Sequence, residues 1–131
     1  MEPVKWDESI SVGVEALDSD HRRLVGMINK LAEALDAGES DKVLLNLLNG
    51  MKNYAIEHFS REESYMLFIK YPGLKAHKEQ HARFVRKVIG FEADYKRDRA
   101  LLGQTIMPFL MEWLIGHIME SDKKYCAYIP K

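Results

Sequence analysis

Apolar side chains recur at every third or fourth position along most of this chain, and that repeat is typical of amphipathic α-helices. Four segments carry the repeat, and they begin near Leu17, Ser40, Leu74 and Ile106. Helices of this kind bury their apolar faces against one another, and short connections favour antiparallel neighbours. The sequence therefore predicts an all-α fold, an antiparallel up-down-up-down four-helix bundle.

The predicted helices begin and end at residues with known capping preferences. Asp18 or Ser19 is a candidate N-cap of the first helix, and Gly38 suits its C-terminal end. The second helix is expected to start at Ser40 or at the aspartate after it. Pro108 either lies near the start of the fourth helix or kinks it, and the sequence leaves both possibilities open.

Residues 1–16 do not follow the helical repeat. Trp6, Ile10, Val12 and Val14 give this segment apolar side chains, so we expect an extended N-terminal arm that lies against the bundle. A chain of 131 residues is long enough to bury its own core and falls within the usual size of one domain. We expect a single domain over residues 1–131.

Charge and composition exclude several classes of partner. With 19 basic and 20 acidic residues the net charge is −1, which does not favour nucleic acid or anionic lipid. The longest apolar run, residues 106–116, is about half a membrane span and contains Glu112, so no membrane insertion is expected. Cys126 is the only cysteine, and the first residues do not have the pattern of a secretory signal. We expect a monomeric cytoplasmic protein.

The chain has five histidines, and all of them fall on the apolar rows of the predicted helices. Five independent positions would do so with a chance of roughly one in 500 to one in 70. One such histidine is usually an ordinary core residue, but five bring ten ring nitrogens into an apolar interior. Each unsatisfied nitrogen costs about 1 to 3 kcal/mol, and a bound metal removes that cost. The five are His21, His58, His77, His81 and His117.

Two pairs at helical spacing strengthen the prediction of a metal site. His77 and His81 lie four residues apart, and so do His58 and Glu62, so each pair shares one helix face. Five histidines and a carboxylate exceed what one tetrahedral zinc needs, which indicates two ions. Nitrogen and oxygen donors without thiolate suit a pair of iron ions, with manganese, zinc or copper as alternatives.

The spacing of these residues resembles the hemerythrin family, in particular its single-domain bacterial members. The resemblance runs from Trp6 to about Tyr125, nearly the whole chain, and no ligand position of the family departs from it. The motifs that carry it are Asp18-Ser-Asp-His21, His58-Phe59-x-x-x-Glu62, His77-x-x-x-His81 and Trp113-Leu114-x-x-His117-x-x-x-x-Asp122.

The resemblance implies two iron ions joined by a solvent-derived oxo or hydroxo group. It implies that one iron is held by His77, His81 and His117 and the other by His21 and His58. It also implies that two carboxylates bridge both ions, those of Glu62 and Asp122.

Asp122 is the member of this set that spacing does not supply. Five residues at about 100° each carry it well off the face of His117 in an ideal helix, whereas Glu120 lies closer. Spacing alone leaves the two acids as alternatives. The resemblance selects Asp122, and it implies that the helix ends or distorts after His117.

The resemblance also implies reversible dioxygen binding, as a carrier, store or local supplier, with a protein recipient as a further partner. An apolar lining of Leu24, Phe59, Trp113 and Leu114 around an open iron position would favour binding over oxidation, although all four also suit an ordinary core. The alternatives are a diiron oxidase, a peroxidase, a nitric-oxide-handling enzyme or an oxygen sensor with a separate partner. The absence of any Glu-x-x-His unit weighs against the enzymes. Asp18 either caps the first helix or orients His21.

Overall fold

The computed structural model describes residue 6, residues 10–95, residue 98 and residues 102–129. Over those residues the chain is helical without any strand, and it confirms the four-helix bundle. The fourth helix is composite, because a π-helical turn precedes its α-helical part and a second one follows it. The elements are α1 Glu15–Asp36, α2 Asp41–Phe68, α3 Leu74–Tyr95, a π turn Leu102–Ile106, α4 Met107–Gly116, a π turn His117–Asp122, α5 Lys123–Tyr125 and a 3-10 turn Cys126–Tyr128.

Contacts between helices establish the antiparallel arrangement. Tyr95 at the end of α3 donates a hydrogen bond to Asp41 at the start of α2, with 3.0 Å between the oxygens. Further along α2, Lys52 pairs with Glu92 at 2.7 Å, so residue numbers rise along one helix as they fall along the other. α1 packs on both α2 and α4, and α3 packs on α2 and on the π turn before α4.

The ends of α1 and α2 agree only in part with the sequence prediction. Ser40 caps α2, since its hydroxyl accepts a hydrogen bond from the backbone N–H of Val43. Gly38 follows α1 with a φ of +71°, a left-handed conformation that glycine adopts without steric cost. The predicted N-caps Asp18 and Ser19 are wrong, because α1 begins earlier and both residues lie inside it. The Asp18 carboxylate contacts the N-terminal arm and does not cap the helix.

Asp18 instead fastens the N-terminal arm to the bundle. Its carboxylate accepts hydrogen bonds from the Ser11 hydroxyl at 2.6 Å and from the backbone N–H of Val12 at 2.8 Å. The Cys126 thiol donates to the carbonyl of Val12 at 3.2 Å, which ties the arm to the C-terminal turn as well. Ile10 and Val12 are buried against the helices. The arm is therefore observed from residue 10 to residue 14, which is shorter than the predicted residues 1–16 because α1 begins at Glu15; residues 1–5 and 7–9 lie outside the described residues.

The main core fills the half of the bundle away from the α2–α3 turn. Leu31, Leu44, Leu48 and Leu110 are completely buried in it, and a smaller cluster around Met66 closes the other end. Burial of a leucine side chain contributes about 1.5 to 3 kcal/mol. None of the helices that the structure describes is both long and apolar enough to cross a membrane.

Pro108 lies at the start of the α-helical part of the fourth helix. It occupies the second position of α4, where the missing N–H of proline costs no hydrogen bond within the α-helix. The turn before it, Leu102–Ile106, is π-helical. Pro108 therefore starts the α-helical part but lies inside the composite fourth helix, which begins at Leu102.

Candidate metal centre

All seven predicted ligand residues meet inside the bundle, and each is at most 7% exposed. Every helix of the bundle contributes, because the helical repeat turns these positions toward the common axis. α1 supplies one side chain, α2 and α3 two each, and the π turn after α4 the last two. In that order they are His21; His58 and Glu62; His77 and His81; His117 and Asp122.

One side of the cluster is a three-histidine subsite made by His77, His81 and His117. Oε1 of Glu62 lies 3.2 Å from Nε2 of His77 and 3.0 Å from Nε2 of His81. Oδ1 of Asp122 lies 2.8 Å from Nε2 of His77 and equally far from Nε2 of His117. Three imidazole nitrogens and one oxygen from each carboxylate therefore converge on the same small volume.

The other side is a two-histidine subsite made by His21 and His58. Here the second oxygens of the same carboxylates are the neighbours. Oε2 of Glu62 lies 3.5 Å from Nε2 of His21 and 3.4 Å from Nε2 of His58. Oδ2 of Asp122 lies 3.2 Å from Nε2 of His21. Glu62 and Asp122 thus each have one oxygen beside the three-histidine subsite and the other oxygen beside the two-histidine subsite.

The π turn explains how Asp122 reaches a cluster that ideal helical spacing would deny it. Residues His117–Asp122 form i to i+5 hydrogen-bonded turns, which hold more residues per turn than an α-helix. Asp122 therefore returns to the face of His117 and is fully buried, whereas Glu120 is exposed. The distortion that the resemblance implied after His117 is this widened turn.

Several buried polar atoms of the cluster have no hydrogen bond. Both ring nitrogens of His21 and both carboxylate oxygens of Asp122 are in this state, within the part of the chain that the structure describes. Each such atom costs about 1 to 3 kcal/mol when it is removed from water without a partner. Unprotonated imidazoles and carboxylates are donors for divalent transition metals, so the set fits metal ions.

The charges of the cluster are strongly coupled when no metal is bound. Burial opposes protonation of the imidazoles, but the nearby carboxylates of Asp122 and Glu62 stabilise the protonated rings, outweigh burial and raise the pKa of His21 and His77 to about 9. Burial likewise opposes ionisation of the acids. The imidazoles outweigh it, hold the pKa of Glu62 well below its usual range and lower the pKa of Asp122 to about 2.

Three imidazoles are held from outside by residues that the sequence did not indicate. Nδ1 of His58 lies 2.9 Å from Oδ2 of Asp20, and Nδ1 of His81 lies 2.8 Å from Oε2 of Glu63. Nδ1 of His117 lies 3.0 Å from Oε1 of Gln80. The structure also corrects the assignment of Asp18 as a residue that orients His21, because Asp18 contacts the arm and no residue that the structure describes hydrogen-bonds to the His21 ring.

Asp20 is the most strongly held of these outer partners. Burial opposes its ionisation, but hydrogen bonds from Arg61, Tyr54 and His58 hold the pKa of its carboxyl well below the usual range. It lies directly before His21 in the sequence and is buried. The one sign of this role in the sequence was that an acidic residue directly precedes a histidine on the buried face of α1.

Tyr125 is a second residue that the sequence did not indicate. It is completely buried, and its hydroxyl donates to Oε2 of Glu62 at 3.1 Å. Burial and the nearby carboxylates raise the pKa of this tyrosine far above its usual value, so it remains a donor. The contact fixes the orientation of the carboxylate that both subsites share.

Aromatic rings cover the three-histidine subsite. Phe59 stacks on the His81 ring with 3.9 Å between centroids, and Trp113 stacks on the His117 ring at 4.3 Å. The leucines that the sequence grouped with them, Leu24 and Leu114, are buried in the main core. The rings shield this side of the cluster from water.

Together the fold and the cluster define the class of the protein: a four-helix bundle with a buried metal-binding centre of imidazoles and carboxylates. Residues 12–129 match the family model of the hemerythrin HHE cation binding domain. The chain belongs to the hemerythrin family.

Similar proteins are known in bacteria and in eukaryotes. The bacteriohemerythrin of Clostridium acetobutylicum is 34% identical over 92% of this chain and 96% of its own. The hemerythrin-like protein of Naegleria gruberi is 31% identical over 94% of this chain and 91% of its own. The crystal structure of a leucine-to-alanine mutant of a hemerythrin superimposes with a TM-score of 0.85 at 25% identity, over 98% of both chains.

Proposed function

We propose that the centre binds two iron ions and that the protein binds dioxygen reversibly there, without turnover. One observation carries this proposal: each carboxylate directs one oxygen to each subsite, and the subsites have unequal numbers of imidazoles. Glu62 and Asp122 would therefore serve a pair of ions together, and the subsite of His21 and His58 would supply fewer imidazoles than the other. A bound ion pair would supply the chemistry that takes up a small molecule such as dioxygen.

In this proposal His77, His81 and His117 hold one ion, and His21 and His58 hold the other. Glu62 and Asp122 would serve both ions, because each has one oxygen beside each subsite. A bound ferrous pair supplies up to two electrons for the reversible reduction of dioxygen.

The surrounding residues favour binding over further reaction. Phe59 and Trp113 cover imidazole faces, and the cluster is buried, so water has little access to it. Exclusion of water suppresses proton leakage and side reactions. Tyr125 keeps Glu62 in place by a hydrogen bond. These features support a carrier, store or local supplier of oxygen over an oxidase, a peroxidase or a nitric-oxide-handling enzyme.

The test is a cycle of oxygen addition and removal on the anaerobic diferrous protein. We expect about one dioxygen bound per two irons, and full recovery of the starting absorption spectrum after removal. Release of stoichiometric peroxide, or irreversible oxidation in the first cycle, would support an enzyme and contradict the carrier. Wild-type protein with fewer than two irons would contradict the proposed centre itself.

Two matched pairs of variants test the ligand assignment. Glu62→Gln should lose iron, whereas Glu57→Gln, the same change at an exposed position of α2, should keep the wild-type iron content. Asp122→Asn should lose iron, and Glu120→Gln should not, because Glu120 is exposed. Elemental analysis of purified protein gives the iron content, and equal losses within either pair would contradict the assignment.

We also propose a single-domain, monomeric, cytoplasmic protein. The balanced charge and the single cysteine support this proposal. Fractionation of cells and sedimentation of the purified chain test it. A stable dimer, or recovery in an oxidising compartment, would contradict it.

A further inference from the structure

We propose that Asp20 is a positioning residue for the two-histidine subsite, an inference that rests on the proposed function. Oδ2 of Asp20 lies 2.9 Å from Nδ1 of His58, and Nε2 of the same ring lies 3.4 Å from Oε2 of Glu62. An ionised carboxylate only accepts hydrogen bonds, so Nδ1 carries the proton. The lone pair of Nε2 therefore faces the centre, in the orientation that a metal ligand requires.

Asp20 is itself held rigidly, which makes it more than a chance neighbour. Arg61 donates to both of its oxygens, with Nε at 2.8 Å from Oδ2 and Nη2 at 2.9 Å from Oδ1. Tyr54 donates to Oδ1 at 2.6 Å. A bidentate guanidinium fixes the plane of a carboxylate, and here that plane sets the orientation of the His58 ring.

The support extends outward between α1 and α2. The guanidinium of Arg23 lies 4.7 Å from the centre of the Tyr54 ring, and that of Arg61 lies 5.5 Å from it. Tyr54 is thus held by cation–π contacts on the surface side and by Asp20 on the inner side. Asp20 thus supports His58 directly, and Arg61, Tyr54 and Arg23 support it through Asp20; none of these four side chains belongs to the proposed ligand set.

Loss of Asp20 should matter more than loss of another outer partner, because fewer imidazoles of its subsite have an outer hydrogen-bond partner. In the three-histidine subsite two rings have outer partners, Glu63 for His81 and Gln80 for His117. In the two-histidine subsite, Nδ1 of His21 has no hydrogen-bond partner among the residues that the structure describes. Loss of Asp20 should therefore weaken one iron position selectively.

Anaerobic competition between the protein and a chromogenic chelator for iron(II) measures the affinity of each ion separately. For Asp20→Asn we expect the weaker-held ion to lose about 10- to 100-fold in affinity, with the other ion unchanged. The matched control is Asp18→Asn, a buried aspartate of α1 that contacts Ser11 and Val12 but no imidazole. It should leave both affinities at the wild-type values.

A second variant and a second measurement keep the proposal testable if Asp20→Asn folds poorly. Tyr54→Phe removes one donor to Asp20 without touching His58, and it should give a smaller loss in the same direction. Nitrogen-15 NMR of the metal-free protein, at a pH where His58 is neutral, should find the ring proton on Nδ1 in wild type. In Asp20→Asn the proton should shift partly or wholly to Nε2.

The outcomes separate this inference from the proposed function. Wild-type protein that binds two irons, with Asp20→Asn equal to it in affinity and ring protonation, would overturn the positioning role alone. If Asp20→Asn and Asp18→Asn both reduced the affinity for both ions to the same extent, Asp20 would have only a general structural role, and the positioning role would be overturned too. Wild-type protein that fails to bind two irons would overturn the proposed function first.

Discussion

The metal-free protein should lose stability as the pH rises from about 6.5 to about 9. The pKa values of His21 and His77 are raised from 6.5 to about 9 in the folded chain, chiefly by the buried carboxylates that overcome the cost of burial. A group with a raised folded pKa stabilises the fold fully below its unfolded pKa. That contribution disappears as the pH passes through the folded pKa.

The magnitude follows from the size of the shift. One pKa unit corresponds to about 1.4 kcal/mol, so either histidine contributes on the order of 3 kcal/mol. The two contributions are not additive, because both rings contact the same carboxylates, Glu62 and Asp122. We expect a total loss on the order of 3 kcal/mol in the free energy of unfolding.

Urea denaturation of metal-free protein, followed by circular dichroism at several pH values, measures this loss. In His21→Gln and in His77→Gln, the free energy of unfolding should depend less on pH than in the wild type. Iron-loaded protein should keep its stability over the same range, because metal binding requires unprotonated imidazoles. Metal-free stability that is constant, or that rises between about pH 6.5 and pH 9, would refute the electrostatic reasoning.

Three further predictions concern single side chains. Tyr125→Phe removes the donor to Glu62 and should cost the metal-free protein about 1 to 3 kcal/mol in urea denaturation; an unchanged midpoint would count against this hydrogen bond. Leu31→Ala should cost about 2 to 5 kcal/mol because Leu31 is fully buried, whereas Leu67→Ala, at 69% exposure, should stay within about 0.5 kcal/mol; similar losses would contradict the core assignment. Ser40→Ala should cost about 1 kcal/mol and Ser40→Gly only a few tenths, and the opposite order in thermal unfolding would exclude the N-cap.

The pair Asp122 and Glu120 shows where sequence periodicity stops being sufficient. A fixed rotation of about 100° per residue placed Glu120 closer to the face of His117 but left both acids as alternatives, and the resemblance selected Asp122. The π turn at His117–Asp122 brings Asp122, and not the exposed Glu120, into the cluster. A repeat of fixed rotation per residue does not describe a widened turn, so only the structure distinguished the two acids.

The aspartates of α1 illustrate the same limit for hydrogen bonds. The sequence drew attention to Asp18 as a cap or as a partner of His21, yet Asp18 binds the arm. Asp20, two residues later, contacts His58 on the neighbouring helix. Both are short acids near one histidine, and only the relative placement of the arm and α2 distinguishes them.

The sequence alone determined the helices, the bundle and the inward position of all five histidines, because helical geometry converts spacing along the chain directly into a shared face. The tertiary structure decided which oxygen of each carboxylate faces which imidazole, which residues hold the rings from outside, and where the fourth helix widens. Those contacts join residues as far apart as Glu62 and Tyr125. They depend on distances between helices, and a one-dimensional repeat does not specify those distances.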